Sequence, residues 1–246
     1  MNKLNEQQIL ANAYDFFLKL FNDKSKAYKK RNVKNFKVNP FTVHAAAKAV
    51  SDDVNAESIA KAIVYPFALG TSMATSFGTK AQEFIVTALG DQISGSVVAG
   101  MDIEYDDAID GRHKYCQIKS GPTTINHDDI KTIEDHFQSL VSLGRTNHLN
   151  IGIDDRVVGV LYGTQDDLSQ MYKKLLDDGI VVLTGADFWY HLTGYKDIYS
   201  KLVQTAEKAA EKSSIKDNVD ILTNKVKDKI EEDPEFFNLG NNNFDD

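Results

Sequence analysis

A single cysteine, Cys116, denies this chain an internal disulfide and any multi-cysteine zinc site. No apolar run is long enough to cross a bilayer. The opening stretch Met1-Asn2-Lys3-Leu4-Asn5-Glu6-Gln7-Gln8 lacks the basic-then-apolar pattern of a secretory signal, so a cytoplasmic protein without a membrane association is expected. An excess of positive charge is also missing. Lys and Arg number 28 against 36 Asp and Glu, a formal net charge of −8, which argues against a general nucleic-acid coat. The six histidines, His44, His113, His127, His136, His148 and His191, show neither H-E-x-x-H nor another zinc spacing. There is no G-x-S-x-G elbow. Between Gly70 and Gly78 the small residues lack the Gly-Lys-Ser/Thr ending of a phosphate loop, and no internal repeat is visible.

What is present suffices for one sizeable core, or one core with a helical annex, since 42% of the 246 residues are hydrophobic. The charge is unevenly spread. Lys24, Lys26, Lys29, Lys30, Arg31, Lys34 and Lys37 follow one another with no acid between them. Such a run is either a solvated face or a phosphate-contacting patch on an acidic body.

The first seventy residues read as helical, with Ile9, Ala13, Phe16, Phe17, Leu20 and Phe21 on one stripe. Asn39-Pro40 breaks the chain before a helix over 42–50, and Asn55 caps another that ends near Pro66. The segment from Gly70 to Gly78 is expected to be a loop, followed by a helix from Thr79 to Leu89. From Ser96 the period changes to two, predicting a strand that carries Val97, Val98, Met101, Ile103 and Tyr105. Asp106 to Gly111 supplies a turn, and His113 to Lys119 returns as a second strand. Asn126 caps a helix whose buried stripe is Ile130, Ile133, Phe137, Leu140 and Val141. Strands at Leu149–Ile153 and Val157–Tyr162, a helix over 166–178 and a strand at Ile180–Leu183 follow. Phe188-Trp189-Tyr190 reads as core rather than as a base-stacking platform. Residues 196–232 are expected to be helical, and 233–246 to be a disordered tail.

The hairpin places chemistry. Paired residues of an antiparallel hairpin have a constant index sum. A loop at Ile109-Asp110 sets Asp102 opposite Gln117, and a loop at Asp110-Gly111 sets it opposite Lys119. Gln117 and Lys119 share a strand face, so both registers gather Asp102, Gln117 and Lys119. Cys116 points to the other face and packs as a small hydrophobe. Asp102 is a hard oxygen donor suited to magnesium or manganese. The Gln117 amide and the Ile118 carbonyl add neutral oxygens. Lys119 can hold an attacking water and offset charge on a phosphorus centre. The same residues could form an ordinary surface salt bridge.

Asp102, fourteen residues, then Gln117-Ile118-Lys119 resembles the PD-(D/E)xK nuclease motif in its Q-x-K form, found among type II restriction endonucleases. The segment from Tyr115 to Asn126 also resembles the stretch that follows the lysine in some of these enzymes. Met101 stands where the motif's name has proline, and Gln117 replaces its second acid.

The resemblance covers about residues 75–165. It implies an α/β fold in which helices flank a mixed, restriction-endonuclease-like sheet, with a helical N-terminal region (1–70), a nuclease core (71–195) and a helical C-terminal segment (196–232). It further implies Mg2+-dependent, sequence-specific cleavage of double-stranded DNA by a homodimer. Asp102 would be the main metal ligand, Gln117 and Ile118 secondary ones, and Lys119 the group that positions water. Glu83, on the helix after Thr79, would assist, with Glu104 in reserve; Asp106 and Asp107 are read as turn residues. DNA contacts are expected from Lys29, Lys30, Arg31 and Lys34, from the loop between Thr71 and Thr79, from Ser120 and Asn126, and from Arg145 and Asn147, because arginine suits guanine and asparagine adenine. A repair or junction-resolving nuclease, or a non-catalytic DNA-binding protein of this fold, is the alternative reading.

Overall fold

Alternation and turn chemistry build the centre of the protein. The computed structural model describes residues 4–237. Five strands, β1 (Ile93–Gly95), β2 (Ile103–Asp106), β3 (His113–Lys119), β4 (Arg156–Val160) and β5 (Val181–Thr184), lie in sequence order in one sheet. β1, β2 and β3 are antiparallel, while β3, β4 and β5 are parallel. The parallel crossovers pass through α6 (His127–Thr146) and α7 (Gln170–Asp177). Ile130, Ile133, Phe137 and Leu140 of α6 and Tyr172 and Leu175 of α7 bury against Val158, Val160 and Val182. Asn126 caps α6 as expected, accepting from the N–H groups of Asp128 and Asp129. The result is a mixed sheet flanked by helices, the α/β architecture that the resemblance implies.

Phe188 and Trp189, on α8 (Gly185–Thr193), are core residues with 0% and 2% exposure. The Trp189 indole N–H donates to the Leu161 carbonyl at 3.1 Å, so the ring is buried without an orphaned donor. Cys116 is fully buried, and burial, with the nearby Asp102 charge, raises its thiol pKa well above the ordinary value.

The remaining helices are α1 (Glu6–Lys30), α2 (Pro40–Val50), α3 (Ala56–Tyr65), α4 (Ser72–Thr79), α5 (Ala81–Leu89), α9 (Ile198–Lys212) and α10 (Ile215–Glu232). The chain forms two compact units, one of residues 1–16 and 77–208, the other of 17–76 and 209–246. The regions 1–70, 71–195 and 196–232 expected from the sequence, the first of them as part of the same domain as the core, do not coincide with these units. In the second unit, Ile59, Ala60 and Ile63 of α3 share a core with Val219, Leu222, Val226 and Ile230 of α10, so two distant stretches of chain join. The Tyr28 hydroxyl donates to the Ala68 carbonyl at 2.7 Å in that core.

Four local expectations change. The segment 70–78 is helical rather than a loop. Pro66 ends the α3 ladder, residues 66–71 form a π-turn in which the Ser72 N–H donates to the Phe67 carbonyl, and α4 follows directly. The strand expected from Ser96 begins only at Ile103. Val97 is 98% exposed, Gly100 has φ +84°, and 96–102 form a loop, while the short β1 precedes it. Leu149–Ile153 forms no strand. Leu149 and Ile153 are more than half exposed, and Ile151 alone of the three packs inward, against Gly144 of α6. The tail expectation falls mostly on residues outside those described. Of 233–237, Phe237 is buried and Phe236 packs beside it in the core of the second unit.

Candidate active site

The hairpin register is the one with index sum 219, running from Asp106↔His113 to Ile103↔Cys116. Continued by one residue, it sets Asp102 beside Gln117. At that point the ladder departs slightly, because the Asp102 N–H donates to the Cys116 carbonyl at 2.9 Å. β2 supplies no backbone partner for the Ile118 N–H, and the Asp102 carboxylate takes its place, with Oδ2 accepting at 2.6 Å. Asp102 therefore meets the Gln117-Ile118-Lys119 segment at its middle residue. The N–H and C=O of a strand residue project to the same side, so the Ile118 carbonyl is directed toward Asp102 as well.

Strand alternation sends Gln117 and Lys119 to the α6 side of the sheet, with Val158 and Val160 of the neighbouring strand. Gln117 is buried, and its Nε2 lies 3.1 Å from Nδ1 of His136 on α6. Lys119 is half-buried. The salt bridge that was the ordinary alternative does not form, and among the described residues Lys119 has no ion-pair partner.

The acids flanking the site are committed elsewhere. Glu83 sits on the first turn of α5 and pairs with Lys80 at 2.6 Å on an exposed surface. Glu104 accepts from the Ser96 hydroxyl at 2.5 Å and pairs with His113 at 3.2 Å. Partial burial lowers the His113 pKa, but its hydrogen bonds to Asp106 and Glu104 outweigh that, and the net shift is upward. Asp107 is buried and pairs with His191 and, more distantly, Lys114. It also accepts the Ile109 N–H at 2.8 Å, which gives it the turn role expected of it and a buried ionic one besides.

Two neighbours of the site were not singled out from the sequence. Gln82, not Glu83, is the α5 side chain that reaches Asp102, donating to its carbonyl at 2.5 Å. His136 is the other. Its signal was its place on α6, three residues after Ile133 and next to Phe137, where a polar residue edges the buried stripe.

Among the described residues no three His, Cys, Asp or Glu side chains converge to hold a metal ion. The residues expected as ligands, Asp102, Gln117 and Ile118, could offer one carboxylate, one side-chain amide and one backbone carbonyl. An all-oxygen set with a single charge fits a hard, hydrated cation that keeps several waters, and does not fit zinc.

The expected DNA-contacting residues lie in both units. Ser120 is half-buried beside Gly78, whose Cβ would stand 3.4 Å from its hydroxyl. Asn126 is occupied as the α6 cap, while Arg145 and Asn147 are exposed at the other end of that helix. In the second unit Lys29, Lys30 and Lys34 are exposed. Arg31 stacks its guanidinium 3.9 Å from the Phe67 ring centre and 4.7 Å from that of Phe36. It borders a cleft of about 440 Å³ with Asn35, Lys37, Asn39 and Thr42.

A mixed sheet whose hairpin brings an acid against an amide-x-lysine segment, with a helix on either side, has the fold of the restriction endonucleases. The family model of the type II restriction endonuclease EcoO109I matches residues 6–214, and the chain belongs to that family. Comparison with curated proteins finds no match.

Proposed function

We propose that this protein is a site-specific deoxyribonuclease that hydrolyses phosphodiester bonds of double-stranded DNA with Mg2+, acting as a homodimer. The observation that carries the reading is the contact of Asp102 with Ile118, which gathers Asp102, Gln117 and Lys119 at one end of the hairpin. Membership of a restriction-endonuclease family supports it.

In this reading Asp102, the Gln117 amide oxygen and the Ile118 carbonyl hold the cation. When bound, the cation supplies Lewis acidity at the phosphoryl oxygens. Lys119 donates hydrogen bonds to the attacking water and to the phosphate, and its charge offsets the negative charge that grows there. Glu83 orients a further water once it leaves Lys80. Lys29, Lys30, Arg31 and Lys34 contact phosphates, and Ser120, Asn126, Arg145 and Asn147 are candidates for readout. A two-fold dimer would match a palindromic site.

The test is incubation with unmethylated phage DNA, in Mg2+ and in EDTA, read on a gel. Discrete bands with Mg2+ only are expected, and Lys119→Ala should abolish them while DNA binding persists. Intact DNA in both Mg2+ and Mn2+ would favour a binding protein that keeps the fold. Cutting confined to junctions or damaged duplex would favour a repair or resolving nuclease.

A further inference from the structure

Gln117 raises a problem that a carboxylate at the same position does not. A primary amide has two ends of almost equal size and opposite chemistry. Its oxygen can ligate a cation, whereas its NH2 group repels one and offers only donors. A buried glutamine beside a cation site therefore needs something to fix which end faces the cation.

We propose that His136 is a positioning residue that orients the Gln117 amide, holding its nitrogen so that its oxygen is presented to the cation. This rests on the reading of Asp102, Gln117 and Ile118 as the cation site. Gln117 Nε2 stands 3.1 Å from His136 Nδ1; an amide nitrogen can only donate, so the contact is a hydrogen bond when the imidazole carries its proton on Nε2, the tautomer this proposal requires. With the amide nitrogen engaged, Oε1 occupies the other end of the group. Donation from the NH2 group also draws electron density toward that oxygen, so the hydrogen bond and ligation reinforce each other.

The fold fixes the imidazole independently of Gln117. His136 projects from α6 between Ile133 and Phe137, which anchor the helix with 1% exposure each. Its ring packs closely against Gly100. A Cβ at that position would lie 2.3 Å from His136 Cγ, and the glycine's φ of +84° further disfavours any other residue. The 96–102 loop, which ends in Asp102, thus leaves a gap at Gly100 in which the histidine ring fits.

The test is a double-mutant cycle with His136→Phe and Gln117→Glu. Phenylalanine keeps the ring but removes the acceptor, and glutamate has an oxygen at both ends and needs no orienting. Two quantities are read: the Mn2+ dissociation constant of the purified protein, from free-Mn2+ electron paramagnetic resonance, and the Mg2+ concentration for half-maximal cleavage of phage DNA. His136→Phe should weaken both by about tenfold or more when position 117 keeps its glutamine, and cause no loss when combined with Gln117→Glu. Equal losses in both backgrounds would reduce His136 to packing, and no loss in either would overturn the proposal.

Nitrogen-15 shifts of the imidazole give a readout free of metal and of cleavage. They should show a bare Nδ1 and a protonated Nε2, and a proton on Nδ1 would overturn the proposal even where His136→Phe fails to fold. Wild-type protein that binds no Mn2+ and cuts no DNA would sink the cation site itself. Metal-dependent cleavage with unchanged affinity in His136→Phe would sink this inference alone.

Discussion

Asp102 completes the backbone of the strand beside it: its Oδ2 accepts the Ile118 N–H at 2.6 Å, where β2 has ended and β3 continues. The carboxylate is thereby held in place, and in the proposed function its Oδ1 is the oxygen offered to the cation. Asp102→Asn separates these roles. Asparagine can still accept the Ile118 N–H through its amide oxygen, but it removes the only carboxylate in the donor set. Cleavage should fall by about 100-fold or more, since Lewis-acid stabilisation is worth several kcal/mol and each 1.36 kcal/mol is tenfold. The melting temperature should change little. Gel assays and calorimetry on one preparation check both, and wild-type cleavage by Asp102→Asn would remove it from the site.

The basic run holds two kinds of residue, and salt dependence distinguishes them. Lys30 is exposed, whereas Arg31 stacks on Phe36 and Phe67. Removing one cation that neutralises a phosphate should flatten the plot of log binding constant against log salt by about one unit. Lys30→Ala should do this with no change in melting. Arg31→Ala should do it and also lower the melting temperature, because a stacked cation contributes about 0.5–2 kcal/mol. Fluorescence anisotropy with duplex DNA at several salt concentrations is the measurement, and an unchanged slope in both variants would show the run to be a solvated face.

The hairpin was legible because its evidence is local. Period-two burial and a turn rich in Asp and Gly bracket the register to two choices, and both bring Asp102 to the Gln117–Lys119 segment. Gln82 and His136 were not legible, because each acts through a contact between elements: Gln82 reaches the Asp102 carbonyl twenty residues on, and His136 reaches Gln117 across the sheet face. The strand read into Leu149–Ile153 failed because alternation shows which residues could share a face and not whether a neighbouring strand is there to pair with. The two-unit organisation was hidden for a similar reason. It depends on α10 returning to α3, and sequence-local composition carries no sign of that return.

Gly159 in β4 tests the packing that supports the site. A Cβ there would lie 2.2 Å from the Phe188 ring, which is itself fully buried. Gly159→Ala should cost about 1–3 kcal/mol by overpacking, a fall of roughly 3–10 °C in melting temperature. Adding Phe188→Leu should recover part of that loss, although Phe188→Leu alone destabilises. Additive losses in the double variant would mean that the two residues do not share the space.

Arg112 and Asp155 join the hairpin turn to the start of β4 through two hydrogen bonds of 2.6 Å, and Asp155 also accepts the Gly152 N–H at 2.7 Å. Arg112 is the largest cause holding the Asp155 carboxyl below its ordinary pKa, against the opposing effect of burial. A carboxyl with a depressed folded-state pKa contributes stability in full above its unfolded pKa, near 3.9, and loses it as the pH falls through the lower folded value. Asp155→Asn should therefore lower the melting temperature by a few degrees at pH 7, and the gap to wild type should close as the pH drops below about 4. Melting curves of both proteins from pH 7 to pH 3 decide the matter. A gap that stays constant across that range would mean that Asp155 acts through shape and neutral hydrogen bonding, with no contribution from its charge.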